Sequence, residues 1–392
     1  MVEATIDTLI LNSKKQMQWV KKFKKTRYLF NELSTIDKEY YVGIKGVRGV
    51  GKTVLLLQLA RQIKDCVYFS ADSTLVKSFS LYDIVKECIK REYKNIFIDE
   101  IHRKVDWDVD VKTLYDEHEV RIFFSGSSAL NLSKAGADLS RRVVLKELRP
   151  ASLREHLMIK KNEKLPILSF EDLITNTSQL AKTYAHVFEY VDEYLHYGGV
   201  LYPKNGFYDA LENALKKIIL QDLASLRDVN IKYETDVYKL LQLIARSPPY
   251  QTNYSSLAQK LNLSKTLVIR LVNDLHETGV LIPILPCKKQ GVNVKKEPKI
   301  YLTIPLRHFF MRYISEPNIG ALREEFFVNH IQDLCYIKGD RGEKTPDFRW
   351  RDYIIEVGGQ SKSNVQHPDI KAVDSLVVED NKIPLFLFGF LY

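Results

Sequence analysis

No apolar run in the chain approaches the roughly 18 residues that a membrane-spanning helix requires. The first residues, MVEATIDTLI, also lack the basic segment that precedes a secretory apolar core. Both absences predict a cytoplasmic protein with no membrane partner. Cysteine is scarce: Cys66, Cys88, Cys287 and Cys335 are the 4 present, and none belongs to a C-x-x-C pair. That spacing signals neither a disulfide framework nor a zinc site, and all four are expected to be small buried hydrophobes. Nor is the composition extreme, with 45% hydrophobic and 27% charged residues, which is ordinary for a soluble globular chain. A length of 392 residues makes room for roughly two or three domains of about 150 residues each.

Acidic residues are short in one region. The formal net charge is +9, and residues 229–313 hold thirteen Lys/Arg against five Asp/Glu, which leaves the remainder of the chain nearly balanced. A second basic run, residues 14–27 (KKQMQWVKKFKKTR), reads as a positively charged helix or arm, and a solvated helix face is its plainer reading. Positive potential in both places suits a polyanion such as nucleic acid.

What is present most distinctively is GVRGVGKT at residues 46–53, a complete G-x-x-x-x-G-K-[ST] loop between the apolar run 40–44 and the helix-like VLLLQLARQI of 54–63. Glycines in such a loop let successive backbone N–H groups turn onto phosphate oxygens. Gly46, Arg48, Gly49, Val50, Gly51, Lys52, Thr53 and Val54 are therefore the expected ATP-binding residues, with Lys52 reaching the β/γ-phosphates and the Thr53 hydroxyl holding Mg²⁺. After a short apolar run at 66–70 and an amphipathic stretch at 81–93, the segment NIFIDE (95–100) supplies four strand residues ending in two carboxylates. Asp99 is expected to hold Mg²⁺ through bound waters and Glu100 to polarise the attacking water.

The run EVRIFFS (119–125) predicts another buried strand. A polar side chain at its carboxyl end is placed to touch γ-phosphate or water, because ligands of open α/β sheets sit in that crevice. Ser125 or Ser127 is the candidate, and a helix N-cap is the alternative. In LSRRVVLKEL (139–148), Arg142 is a candidate arginine finger toward a neighbouring subunit, Arg141 being its rival and a surface ion pair the alternative. A finger requires a homo-oligomer.

Residues 150–228 read as helices interrupted at YGGVLYP (197–203), a lid over base and ribose. From residue 234 three short helices (235–246, 255–261, 265–278), a strand (280–285), the basic stretch CKKQGVNVKKEPK and a returning strand (300–303) form a winged-helix pattern. Its third helix would bring Lys265, Thr266 and Arg270 to a DNA major groove, with Lys288, Lys289, Lys295 and Lys296 of the wing on phosphates; internal or subunit packing is the alternative. The last seventy residues contain REEFF (323–327), TPDF (345–348) and YIIEVG (353–358), and close on an apolar run, 384–392, that reads as a strand. Glu324 or Glu325, Asp347 and Glu356 are the carboxylates with which restriction-endonuclease-like folds hold Mg²⁺. Val357 and Gly358 follow Glu356 where that pattern needs a lysine; Lys362 could substitute from the loop, and a fold retained without cleavage is the preferred reading.

Taken together, GVRGVGKT, IFIDEIHR, SGSSAL, SRRVVLKELRPASLREHL, YGGVLYP, EVGGQSK and IPLFLFGFLY resemble a family of prokaryotic AAA-type ATPases of unassigned cellular role, which carry a C-terminal domain of restriction-endonuclease-like ancestry. The resemblance implies ATP binding and hydrolysis by Lys52, Thr53, Asp99 and Glu100, with the family's arginine falling on Arg142. Similar proteins have Gly where Arg141 stands, and their GG-x-P turn appears here as GGVLYP, two residues longer.

The expected fold class is α/β: a P-loop NTPase with a parallel sheet, a helical lid, a winged helix and a small C-terminal α/β nuclease-like domain. The corresponding boundaries are a basic N-terminal helical arm (1–38), the ATPase core (39–150), the lid (151–228), the winged helix (229–313) and the nuclease-like domain (314–392). The expected function is Mg²⁺-dependent ATP hydrolysis coupled to DNA binding through the winged helix and basic arm. A slow ATP-dependent switch or scaffold for protein partners is the alternative, and a metal-dependent nuclease a second one.

Overall fold

The computed structural model describes residues 2–126, 139–223, 231–248, 253–287, 297–339, 345–360, 367–379 and 381–392. They divide into two compact units, residues 1–149 and 150–392. No helix among the described residues is long and apolar enough to cross a membrane.

The first unit is built on five parallel strands: β1 (Tyr41–Lys45), β2 (Cys66–Ser70), β3 (Asn95–Asp99), β4 (Arg121–Gly126) and β5 (Val143–Glu147). Their order is β2-β3-β4-β1-β5. Helices cover both faces, which is why the strands read as continuous apolar runs rather than alternating ones. One face is packed by α1 (Val2–Trp19), α4 (Leu81–Lys90) and α5 (Trp107–Glu117), whose Ile6, Ile84 and Leu114 join Ile96, Ile98 and Phe124 of the sheet. On the other, α2 (Leu29–Thr35) and α3 (Lys52–Ala60) bring Leu33, Leu55 and Leu59 onto Phe97 and Phe123, whose rings stack with centroids 4.6 Å apart.

The basic N-terminal run is part of this unit. Ile6 and Leu9 of α1 are buried, and the buried Ser13 Oγ accepts a hydrogen bond from the Tyr68 N–H on edge strand β2 at 2.8 Å. An otherwise open sheet edge is thereby covered. Lys14, Lys15, Lys21, Lys22 and Lys24 remain exposed, whereas Arg27, at the end of this run, is buried.

The second unit has two cores. Helices α6 (Leu153–Lys160), α7 (Phe170–Thr175), α8 (Thr177–Thr183) and α9 (Val191–Tyr197) share one of them with the C-terminal elements, Leu153, Leu157 and Tyr194 meeting Phe326, Phe386 and Phe390. The second core gathers α10 (Phe207–Lys217), α11 (Ile231–Arg246), α12 (Tyr254–Leu261), α13 (Lys265–Glu277), the antiparallel pair β6 (Leu281–Ile284) and β7 (Lys299–Leu302), and α14 (Leu306–Met311). Ser264 caps α13 by accepting from the Leu267 N–H, and Asn253 caps α12 through Ser256 N–H.

Helix α15 (Ile319–His330) leads into β8 (Leu334–Tyr336), β9 (Phe348–Trp350), β10 (Tyr353–Gly358), β11 (Ile370–Val373) and β12 (Lys382–Pro384). They form a sheet ordered β12-β11-β10-β9-β8, with β10, β11 and β12 parallel and β8, β9 and β10 antiparallel.

Two expectations are corrected. Cys287 and Cys335 are joined in a disulfide with Cα atoms 4.9 Å apart across 48 residues of sequence. The cause is tertiary: just beyond β6, Pro286 bridges Tyr336 of β8 in parallel register, and the Cys287 N–H donates to the Tyr336 carbonyl at 2.9 Å. Cys66 and Cys88 are free. The terminal apolar run is strand only at β12, after which Leu385–Phe390 winds into a 3₁₀ turn. All six residues of that turn are buried, and continuous burial removes the periodicity that tells a strand from a helix.

Arg307 pins the second unit. Its guanidinium is 1% exposed and donates from Nε and Nη2 to both oxygens of Glu325, each at 2.8 Å. A third nitrogen reaches the Ala245 and Ser247 carbonyls at the end of α11. Removing one partner strands a buried charge, so Arg307→Ala is expected to destabilise the second unit by about 3–5 kcal/mol, measured by urea unfolding followed by circular dichroism. His156 is 2% exposed, and burial pushes its imidazole down from 6.5 to about 4. The unfolded chain therefore binds a proton that the folded one refuses between those values. Stability is complete above pH 6.5 and falls as pH drops toward 4; a His156→Phe chain unfolded across the same range should show a shallower acid limb.

Candidate functional site

Residues 46–51 leave β1 and enter α3 at Lys52. Gly49 and Gly51 adopt φ of 88° and 98°, values open to glycine at little cost. A Cβ on Gly46 would stand 2.4 Å from the Leu148 carbonyl oxygen, so a side chain is excluded where the loop begins. Lys52 is buried and donates from Nζ to the Gly46 and Val47 carbonyls at 2.7 and 3.0 Å. The ammonium is thus folded across the mouth of the loop.

Thr53 lies one residue on, and its Oγ1 donates to Asp99 Oδ2 at 2.6 Å. Asp99 ends β3 and is 4% exposed. Ser125 Oγ donates to the other carboxylate oxygen, and the Tyr68 hydroxyl donates to Oδ2 at 3.2 Å. Burial first, and then the neighbouring Glu100 charge, raise the Asp99 carboxyl above its ordinary range, the Ser125 and Thr53 hydroxyls opposing them. Burial and the adjacent Asp99 push the Tyr68 hydroxyl up as well, so it stays a donor. A buried carboxylate served by neutral hydroxyls, with a threonine beside it and a lysine close by, fits Mg²⁺ and the phosphates of ATP.

Glu100 adopts φ 52° and ψ 42°, a left-handed conformation that costs of order 1 kcal/mol for a residue with a Cβ. Its carboxylate lies 3.4 Å from His102 Nε2 and 3.9 Å from Arg48 Nη2. The Glu100 N–H faces Ser125 Oγ at 3.4 Å. Ser125 is fully buried within β4 and its hydroxyl is committed to Asp99; Ser127 lies outside the described residues.

Val50 is buried, and Val54 packs at the edge of the α3 core. Arg142 is turned to its own chain: Nε and Nη2 donate to the two oxygens of Asp116 at 2.9 and 3.0 Å, and the guanidinium sits 5.7 Å above the Tyr115 ring. That pair holds the Asp116 carboxyl below its usual range. Arg141 is exposed.

In the second unit, Lys265, Thr266 and Arg270 share an exposed face of α13, and Lys265 stands 3.6 Å from Glu297. Lys288, Lys289, Lys295, Lys296 and Lys362 fall outside the described residues. Of the carboxylates considered for cleavage, Glu325 serves Arg307. Glu324 accepts from the Tyr301 hydroxyl at 2.7 Å and Asp347 from the Val357 N–H at 2.9 Å. Lys299 Nζ stands 4.0 Å from each of these two carboxylates. Glu356 is buried on β10 in register with Lys371. No group of three or more His, Cys, Asp or Glu among the described residues is arranged to hold a metal ion; the Lys299 ammonium balances Glu324 and Asp347 instead.

Sequence reasoning missed Tyr68, His102 and Arg27. Tyr68 carried a signal, as a phenol in the middle of the apolar run CVYFS (66–70), and it packs on the α3 face.

Residues 38–157 match the family model described as AAA domain. The chain is 29% identical over 387 residues to a Methanocaldococcus jannaschii protein named Uncharacterized protein MJ1637, covering 88% of this chain and 81% of that one. It is 31% identical over 197 residues to Uncharacterized protein MJ1544 of the same archaeon, covering 47% and 41%. Among solved structures it is similar to AMPPCP-bound DnaA from Aquifex aeolicus at 15% identity, covering 64% of this chain and 87% of that one with a TM-score of 0.24, too low to carry an argument.

The geometry generates one direct expectation. Thr53→Ala removes a hydroxyl from Asp99 without touching Lys52, so a divalent cation titration followed by calorimetry in the presence of ATP should show Mg²⁺ affinity falling roughly tenfold or more.

Proposed function

We propose that this chain binds and hydrolyses ATP with Mg²⁺, and that hydrolysis is coupled to DNA held by its second unit. The single observation that carries the catalytic half is the 2.6 Å contact between Thr53 Oγ1 and Asp99 Oδ2, which brings the end of the P-loop to the buried carboxylate of β3.

When bound, Mg²⁺ supplies charge neutralisation at the β- and γ-phosphate oxygens; Thr53 and, through water, Asp99 would hold it. Lys52 exchanges its contacts with the Gly46 and Val47 carbonyls for phosphate oxygens. Glu100 takes the proton of the attacking water. Ser125 and Tyr68 keep Asp99 fixed and contribute no proton. Arg142 is the finger in a homo-oligomer, releasing Asp116 to reach a neighbouring copy's γ-phosphate.

The DNA half is supported by the charge excess of residues 229–313 and by the exposed face of α13 beside the β6–β7 ribbon. Such an arrangement has the order and strand pairing of a winged helix, in which α13 would enter the major groove. A second reading, the slow nucleotide switch, is favoured by one observation: Glu100 is drawn to Arg48 and His102, which restrains the group assigned to activate water.

An ATPase assay run against DNA concentration decides between them. Hydrolysis stimulated by duplex supports the coupled reading, and slow turnover indifferent to DNA supports the switch. In either case Glu100→Gln should bind ATP as the parent does and lose turnover by roughly 10²-fold or more; normal turnover removes Glu100 from its assigned role. Replacing Lys265 and Arg270 together with Ala should weaken DNA binding and lower the salt slope by about 2, read by filter binding across a salt series.

A further inference from the structure

Within the first unit one buried guanidinium belongs to none of the roles above. Arg27 is 4% exposed and lies where the N-terminal basic run ends. One arm, Nη1, donates to the Val50 carbonyl oxygen inside the phosphate loop. The other, Nη2, donates to the Arg149 carbonyl oxygen at 2.7 Å. The next residue reinforces the second attachment: the Tyr28 hydroxyl donates to the Glu147 carbonyl at 2.8 Å and accepts from the Arg149 N–H at 3.3 Å. From the other side, Gln58 of α3 donates to the Phe23 and Lys25 carbonyls, both at 2.9 Å. The segment before α2 is therefore fastened to the P-loop helix, to the loop itself and to the chain leaving β5.

A peptide unit is planar and trans, so its C=O and the following N–H point in opposite directions. Fixing the Val50 carbonyl fixes the Gly51 N–H, one of the donors that a P-loop turns onto phosphate. Gly51 itself, at φ 98°, offers little resistance to rotation of that peptide. Something outside the loop must set it. A lysine could supply the charge but only a compact ammonium, whereas the planar fork of arginine spans two carbonyls at once.

We propose that Arg27 is a positioning residue for nucleotide binding: it orients the Val50–Gly51 peptide of the phosphate loop, using the Arg149 carbonyl as its anchor. This rests on the reading of that loop as an ATP site. The proposal assigns Arg27 to ground-state affinity for the triphosphate, because the peptide it orients meets phosphate before and during the reaction alike.

The test uses the full chain. ATP with Mg²⁺ is titrated calorimetrically into the parent, Arg27→Ala and Arg27→Lys, with circular dichroism to verify folding and steady-state kinetics on the same samples. Folded Arg27→Ala is expected to raise the ATP Kd and KM roughly tenfold or more, as loss of a charge-assisted hydrogen bond implies, with kcat within about threefold of the parent. Arg27→Lys should lie between. A stability role alone would lower the thermal midpoint and leave Kd where it was, and that result overturns the proposal. Should Arg27→Ala not fold, Arg27→Lys decides it: a severalfold higher Kd supports the assignment and an unchanged Kd overturns it. A parent chain that binds no ATP overturns the reading of the site, and the proposal with it.

Discussion

A carboxylate taken out of water must be compensated, and Asp99 is compensated by hydroxyls from three different elements. Thr53 comes from the start of α3, Ser125 from β4 and Tyr68 from β2. The sheet order, with β3 between β2 and β4, makes that convergence possible, since strands on both sides can reach the end of the central one. Neutral donors leave the carboxyl raised rather than lowered. The left-handed Glu100 follows directly from the same strand end, where a residue with a Cβ carries local strain.

The second unit solves a different problem. Its two apolar cores share the β6–β7 ribbon, which gives Ile284 and Tyr301 to one and Leu281, Ile300 and Leu302 to the other, and a polar pin adds to this: Arg307 of α14 clasps Glu325 of α15 and the carbonyls that end α11. A hydrophobic replacement could bury as much area, but the guanidinium fork fixes angle as well as distance. Disulfide Cys287–Cys335 makes a second junction, between the chain leaving the end of β6 and the C-terminal sheet. Of the helices read as a nucleotide lid, α6 to α9 take their core from that sheet, whereas α10 packs in the second core.

Legibility in the sequence followed the range of the interaction. The phosphate loop, NIFIDE and the strand ending at Ser125 are local signals, because glycine conformation, apolar runs and terminal carboxylates are properties of a few consecutive residues; β2 falls on the run CVYFS, residue for residue. Three helices and a two-stranded ribbon in the second unit were readable for the same reason, α12 and α13 each carrying its own cap. What stayed hidden depends on residues far apart in sequence. Arg27 looked like one charge among many in a basic run, and only the fold brings it to Val50 and Arg149. The cysteine pair follows from a bridge between distant strands. Lys299 was one more basic residue near the wing until β7 placed it between Glu324 and Asp347. The terminal run misled because full burial on all sides erases the pattern on which strand and helix assignments rest.

Helix α1 is easily taken for an appendage, since the family match begins only at residue 38. Yet Ser13 holds the backbone of Tyr68, and the ring of Tyr68 ends on Asp99. Two hydrogen bonds therefore separate the outermost helix from the carboxylate at the heart of the pocket. A domain excised at the homology boundary would keep every signature residue, and would lose the brace that keeps one of them aimed.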